Sequence, residues 1–204
     1  MGKIKIAVLL SGTGRTLDNF VEKIKQGDLK AEIVCVAASR TDCPGLKKAE
    51  KYGIPCAGFD IKDHKALSDE INKFVLKFKP DLIVLAGFMK MYYVPENYRF
   101  KVINIHPALI PSFCGKGYYG MRVHKAVSES GVKVSGCTVH FVNERYDEGL
   151  IIAQKCVPVY AKDTPDDIAK RVFEAECKLY PEVINLFAEN SIEVKNNKVY
   201  IKGE

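Results

Sequence analysis

The chain is expected to be an α/β protein, on three observations. Short apolar runs recur through its first half at Ile4–Leu10, Glu32–Ala38, Ile54–Phe59 and Leu82–Ala86. Segments with the apolar spacing of amphipathic helices separate them. The runs are apolar on both faces, as strands are when a parallel sheet is covered on each side.

Taken in order, Ile4–Leu10 is the first strand, and Ser11-Gly12-Thr13-Gly14 follows it. Leu17, Phe20, Val21 and Ile24 then form one helical face that stops at Gly27. After the strand Glu32–Ala38, Pro44 and Gly53 bracket a short helix that leads to Ile54–Phe59. Asp63 is placed to cap the next helix, whose stripe is Leu67, Ile71, Phe74, Val75 and Phe78. Pro80-Asp81 ends it before Leu82–Ala86. The second half is mixed. Val102–Ile105 is a short strand, and Pro107 to Gly120 is a long loop of glycine, proline and aromatic residues. A helix over Arg122–Ser130 ends at Gly131. Strands at Val134–Val142 and Leu150–Val157 are joined by the polar turn Asn143–Gly149. Thr164-Pro165 opens a long helix to about Ala188, with proline at its favoured first position. Ile192–Val194 and Val199–Ile201 form a hairpin across Asn196-Asn197. The sum is a Rossmann-like parallel sheet in the N-terminal half, continuing into a mixed sheet, with helices on both faces. One domain over 1–204 is expected, with no repeat or linker.

Composition narrows the function classes. With 47% hydrophobic and 27% charged residues, the 204-residue chain is too apolar for a disordered protein. Its longest apolar stretch, Leu82 to Met89, is far shorter than the ~20 residues of a membrane helix. The start carries no secretory pattern. Seven scattered cysteines, with no Cys-x-x-Cys pair, argue for reduced thiols and a cytoplasmic protein. The net charge of +6 comes without a basic run or arm, so no nucleic-acid partner is expected. It suits solubility and anionic small-molecule substrates equally.

Four features are candidates for chemistry. Gly12, Thr13, Gly14, Arg15 and Thr16 lie between a strand and a helix start, where free N–H groups and close backbone approach make an anion cradle. The same residues also fit an ordinary strand-to-helix turn. Asn104 and His106 sit at the carboxyl end of a strand, two apart and so on one side of it, an amide beside an imidazole. They suit oxyanion stabilisation with proton transfer, or else a capped strand end with a core histidine. Asp147 is in the polar turn; a carboxylate near an imidazole raises its pKa toward neutrality, and an acidic turn is otherwise solvated surface. Glu176 falls on or beside the stripe of Ile168, Val172, Leu179 and Val183, and a buried carboxylate needs a partner: a ligand, or a neighbouring Lys or Arg. His64, His124 and His140 have no metal-ligand spacing and are assigned structural or surface roles. Tyr92-Tyr93 and Tyr118-Tyr119 are assigned to aromatic packing.

Four stretches, in order, carry a resemblance: Leu9-Leu10-Ser11-Gly12-Thr13-Gly14, Val84-Leu85-Ala86-Gly87-Phe88-Met89, Asn104-Ile105-His106-Pro107-Ala108-Leu109-Ile110-Pro111, and Thr138-Val139-His140-Phe141-Val142 with Asp147. Together they span nearly the whole chain and resemble the folate-dependent formyltransferases. The resemblance implies the formyltransferase fold and direct attack of a glycinamide ribotide amine on 10-formyltetrahydrofolate, with no metal and no covalent enzyme intermediate. It implies that Asn104 and His106 stabilise the tetrahedral oxyanion, that His106 assists proton transfer to the departing folate nitrogen, and that Asp147 orients or charges it. Gly12 to Thr16 would hold the ribotide phosphate and Glu176 the glycinamide. Met89, Lys90, Met91 and Tyr92, with Asn104 and the turn from Asn143 to Asp147, would line the pterin pocket. His64 stands where an arginine meeting the folate tail is common. Arg15-Thr16 replaces a Ser-Asn pair, Phe173 stands where a polar substrate contact often lies, and the Phe113–Tyr119 loop is longer than the simple form. The partners implied are phosphorylated ribotide and folate, with the protein a monomer or homodimer. Branches of the family acting on aminoacyl-tRNA or hydrolysing the folate would need an extra domain, expected absent here. A sugar-nucleotide formyltransferase and a non-catalytic folate- or nucleotide-binding module are the alternatives.

Overall fold

The computed structural model describes residues 2–203. Its central sheet has seven strands: β1 (Ile4–Leu10), β2 (Ala31–Ala38), β3 (Cys56–Gly58), β4 (Leu82–Leu85), β5 (Val102–His106), β6 (Val134–Phe141) and β7 (Ile151–Pro158). They lie in the order β3-β2-β1-β4-β5-β6-β7. The first five run parallel, and β6 and β7 reverse to antiparallel. The expected α/β class, parallel half and mixed continuation are all present. A terminal hairpin pairs β8 (Ile192–Lys195) with β9 (Lys198–Ile201).

Strand alternation splits the core. Ile6, Val8 and Leu10 face one layer with α1 (Arg15–Gln26), α2 (Pro44–Lys51), α4 (Met121–Ser130) and α5 (Pro165–Ala188). Ala7 and Leu9 face the other, with α3 (His64–Val75), Tyr92 and Tyr98. Both faces of the parallel strands are therefore dry, which is why these runs read as continuously apolar. Most boundaries shift by a residue or two from expectation, and two differences have a clear cause. β3 is shorter than Ile54–Phe59, since Pro55 has no N–H for a ladder and gives only its carbonyl, to Val36 N at 2.9 Å. The helix after Asp63 tightens to a 3-10 turn at Leu76–Phe78, stopped by Lys79 at φ 47°. Asp63 caps it as expected, accepting from Ala66 N at 2.8 Å. Thr164 and Asp167 form a reciprocal capping box on α5. Among the described residues no helix is long and apolar enough to cross a membrane.

β1 leads toward β2 and β3 on one side, while the chain returns through β4 and β5 on the other. Open α/β sheets place their ligand crevice at the carboxyl ends of strands about such a reversal. The carboxyl ends of β1, β4 and β5 meet there.

Candidate active site

A cavity of about 670 Å³ opens at that reversal. This is within the range of small-molecule sites. Its first wall is the turn after β1. Gly14 adopts φ 72°, and a Cβ there would lie 3.0 Å from the Gly45 backbone of α2. The position thus accepts little but glycine, and the turn delivers the N-terminus of α1 to the cavity. Ser11 joins this turn to the next wall. Its Oγ accepts from Met89 N at 2.9 Å and from Ser39 Oγ at 2.7 Å. The β1 and β4 loops are thereby held as one surface.

The floor comes from β5 and β6. Antiparallel pairing puts Asn104 opposite His140 and His106 opposite Thr138. Asn104 Nδ2 lies 3.1 Å from His140 Nε2. His140 Nδ1 lies 2.8 Å from the Phe141 carbonyl, which can only accept, so Nδ1 carries a proton, and Nε2 faces the cavity between Asn104 and Asp147. Thr138 secures the strand after His106: its Oγ1 donates to Ala108 O at 2.7 Å and accepts from Ile110 N at 3.1 Å and Gln154 Nε2 at 2.9 Å.

Asp147 hangs over this floor from the turn between β6 and β7. Gly149 makes the turn possible, since a Cβ there would fall 1.7 Å from the Phe141 carbonyl. One Asp147 oxygen is 3.4 Å from His106 Nδ1 and 2.9 Å from Gly115 N; the other is 3.6 Å from His140 Nε2. The acidic turn is therefore not mere solvated surface. Burial pushes the Asp147 carboxyl up, but His140, His106 and the Gly115 N–H together hold it below its ordinary value.

His106 departs from expectation in one respect. Its Nε2 donates to the Phe113 carbonyl at 2.8 Å and its Nδ1 faces Asp147, so both nitrogens face oxygen acceptors. Burial nevertheless outweighs the pull of Asp147 and of that carbonyl, and the imidazole lies below its ordinary 6.5 rather than being raised. Glu176 is partly buried beside the stripe of Ile168, Val172, Leu179 and Val183. Among the described residues no Lys or Arg hydrogen-bonds to it; burial raises it to about 7, and the opposing influence is the charge of Arg15.

Gly12, Thr13, Gly14, Arg15, Thr16, Met89, Lys90, Met91, Tyr92, Asn104, His106, Asn143, Asp147 and Glu176 all line this one cavity. His64 does not. It opens α3, which covers the sheet face opposite α1 and α5, with its carbonyl taken by Ser68 Oγ at 2.8 Å. Two histidines assigned structural or surface roles also line the cavity: His140, and His124 on α4, which is 6% exposed with an unpartnered Nδ1. Tyr118 and Tyr119, assigned to packing, are exposed at its rim; Tyr92 is packed as expected, edge-on to Phe88. Strand alternation alone could not flag His140; its partnership with Asn104 needs the β5–β6 register.

A family model described as formyl transferase matches residues 4–184. The chloroplastic phosphoribosylglycinamide formyltransferase of Arabidopsis thaliana is 41% identical over 202 residues, or 96% of this chain and 69% of the plant protein. The phosphoribosylglycinamide formyltransferase of Haemophilus influenzae is 37% identical over 205 residues, or 98% of this chain and 94% of that protein. Among solved structures, glycinamide ribonucleotide transformylase 1 from Symbiobacterium toebii superposes with a TM-score of 0.88 at 34% identity, covering 98% of this chain and 94% of the other.

Proposed function

Since the chain belongs to the formyl transferase family, we propose that it transfers the formyl group of 10-formyltetrahydrofolate to the amine of glycinamide ribonucleotide in purine biosynthesis. The observation that carries this reading is the convergence of an anion-binding helix start, a buried carboxylate and the Asn104–His106–Asp147 cluster in one cavity.

The ribotide phosphate lies against the N–H groups of Gly12 to Thr16, where the helix dipole favours negative charge. Glu176 holds the glycinamide end and Met89 to Tyr92, with the Asn143–Asp147 turn, the pterin. The free amine attacks the formyl carbon, and negative charge develops on the formyl oxygen. Asn104 Nδ2 and the Nε2–H of His106 donate to it, the latter exchanging the Phe113 carbonyl for the oxyanion. The attacking amine gives up one proton and the departing folate nitrogen gains one; His106 assists that transfer, and Asp147 beside Nδ1 stabilises its imidazolium form. The burial that lowers the His106 pKa also strengthens these contacts once charge appears. We take its ligands to be small molecules and expect it in the cytoplasm, as a monomer or homodimer.

The test mixes purified protein with 10-formyltetrahydrofolate, with and without glycinamide ribonucleotide, and follows folate absorbance. Ribotide-dependent loss of the formyl group is expected. Loss without ribotide would make the protein a hydrolase. No loss in either tube would point to an amino sugar nucleotide acceptor or a binding module.

A further inference from the structure

Arg15 and Phe173 lie 158 residues apart, one opening α1 and the other midway along α5. In the fold they meet: the Arg15 guanidinium carbon stands 4.4 Å from the centroid of the Phe173 ring. Both line the cavity, next to Glu176 and the buried His124 whose Nδ1 has no partner. The guanidinium makes no hydrogen bond or ion pair among the described residues. A cation stacked on an aromatic face is held by the ring's quadrupole without using its N–H groups, so all its donors stay available. Beside it the N–H groups at the start of α1 are also open, and Glu176, pushed toward neutrality, competes weakly for it.

We propose that Arg15 is a specificity-determining residue that selects a phosphomonoester-bearing amine over its unphosphorylated form, and that Phe173 is the positioning residue whose ring holds one face of the guanidinium so that its N–H edge meets the phosphate. This rests on the ribotide reading above. The planar fork of Arg15 matches two phosphate oxygens, and the helix start takes the third. Phe173 forms no bond to substrate.

The experiment compares wild type with Arg15→Gln, Phe173→Leu, Phe173→Tyr and the Arg15→Gln/Phe173→Leu double variant. Formyl transfer is measured with glycinamide ribonucleotide and with its dephosphorylated riboside, and ribose 5-phosphate binding is measured by calorimetry. Arg15→Gln is expected to raise KM for the ribotide by about tenfold or more, the scale of a lost charge-assisted bidentate contact, and to leave the riboside reaction little changed. Phe173→Leu is expected to raise the same KM about two- to fivefold, the scale of an exposed cation–π contact, with the effect on KM rather than kcat. Phe173→Tyr, which keeps the ring face, retains the wild-type KM. In the double variant the leucine adds nothing further, as coupling through Arg15 requires. Additive effects, equal losses on ribotide and riboside, or a leucine effect confined to kcat would overturn the proposal. Absence of transfer to ribotide in wild type would sink the functional reading alone. Ribose 5-phosphate binding then decides: weakening by Arg15→Gln supports the proposal, and equal or undetectable binding in both proteins overturns it.

Discussion

Glu176→Gln is expected to make the protein more stable at neutral pH while making it a poorer enzyme. Burial raises the Glu176 carboxyl from 4.5 to about 7, and the charge of Arg15 only partly offsets this. The folded state therefore binds a proton that the unfolded chain releases, and stability falls as pH rises from 4.5 through 7. At ~1.36 kcal/mol per pH unit the full penalty is about 3 kcal/mol, and screening by water in the cavity leaves about 2 kcal/mol. Glutamine keeps the shape and has no proton to release. Thermal unfolding of both proteins, followed by circular dichroism at about pH 4 and pH 8, should give nearly matching midpoints at the acid end. At the alkaline end the variant should melt ~4–8 °C higher, at ~2–4 °C per kcal/mol for a chain of this size. The same variant should raise KM for the amine substrate if Glu176 holds the glycinamide as proposed, since the carboxylate is gone. A midpoint difference that is the same at both pH values would refute the reasoning, because a packing effect does not titrate.

His106→Ala should lower kcat at least ~100-fold, the scale of a lost general acid or base, with the circular dichroism spectrum unchanged; near-normal turnover would remove His106 from its role. Thr138→Val leaves the Ala108 carbonyl and the Ile110 N–H without their partner. It should cost about 2 kcal/mol and speed hydrogen exchange at Ile110, whereas unchanged exchange would show that Gln154 or water substitutes. Gly149→Ala must move the turn, because its Cβ would overlap the Phe141 carbonyl. Displacing Asp147 by ~1 Å should cost about 100-fold in kcat, and a variant with wild-type kcat would mean the turn relaxes elsewhere.

What the sequence discloses follows from how far apart the interacting residues are along the chain. The turn from Gly12 to Thr16 is legible as part of the site because strand end, glycines and helix start are contiguous, and Asn104 with His106 because extended chain puts them on one side. Asp147 could be named but not placed. Its turn reaches His106 only through the β6–β7 hairpin and the bulge between Val139 and His140. His140 was passed over because its parity within β6 is informative only once β6 is known to pair with β5 in one register. His64 opens α3 and is not among the residues that line the cavity, so the resemblance alone suggests a role for it at the folate tail. The lowered pKa of His106 depends on how deeply the fold encloses it, and that has no sequence signal.

Because Asn104 and His140 face each other across a backbone ladder, their separation is set by strand pairing and not by the loops above. The segment from Pro107 to Gly120 can gain or lose residues without altering that spacing. A change of length in the cover would therefore be felt first at His106 and Asp147, which bond to Phe113 O and Gly115 N within it, while the strand-paired floor keeps its geometry.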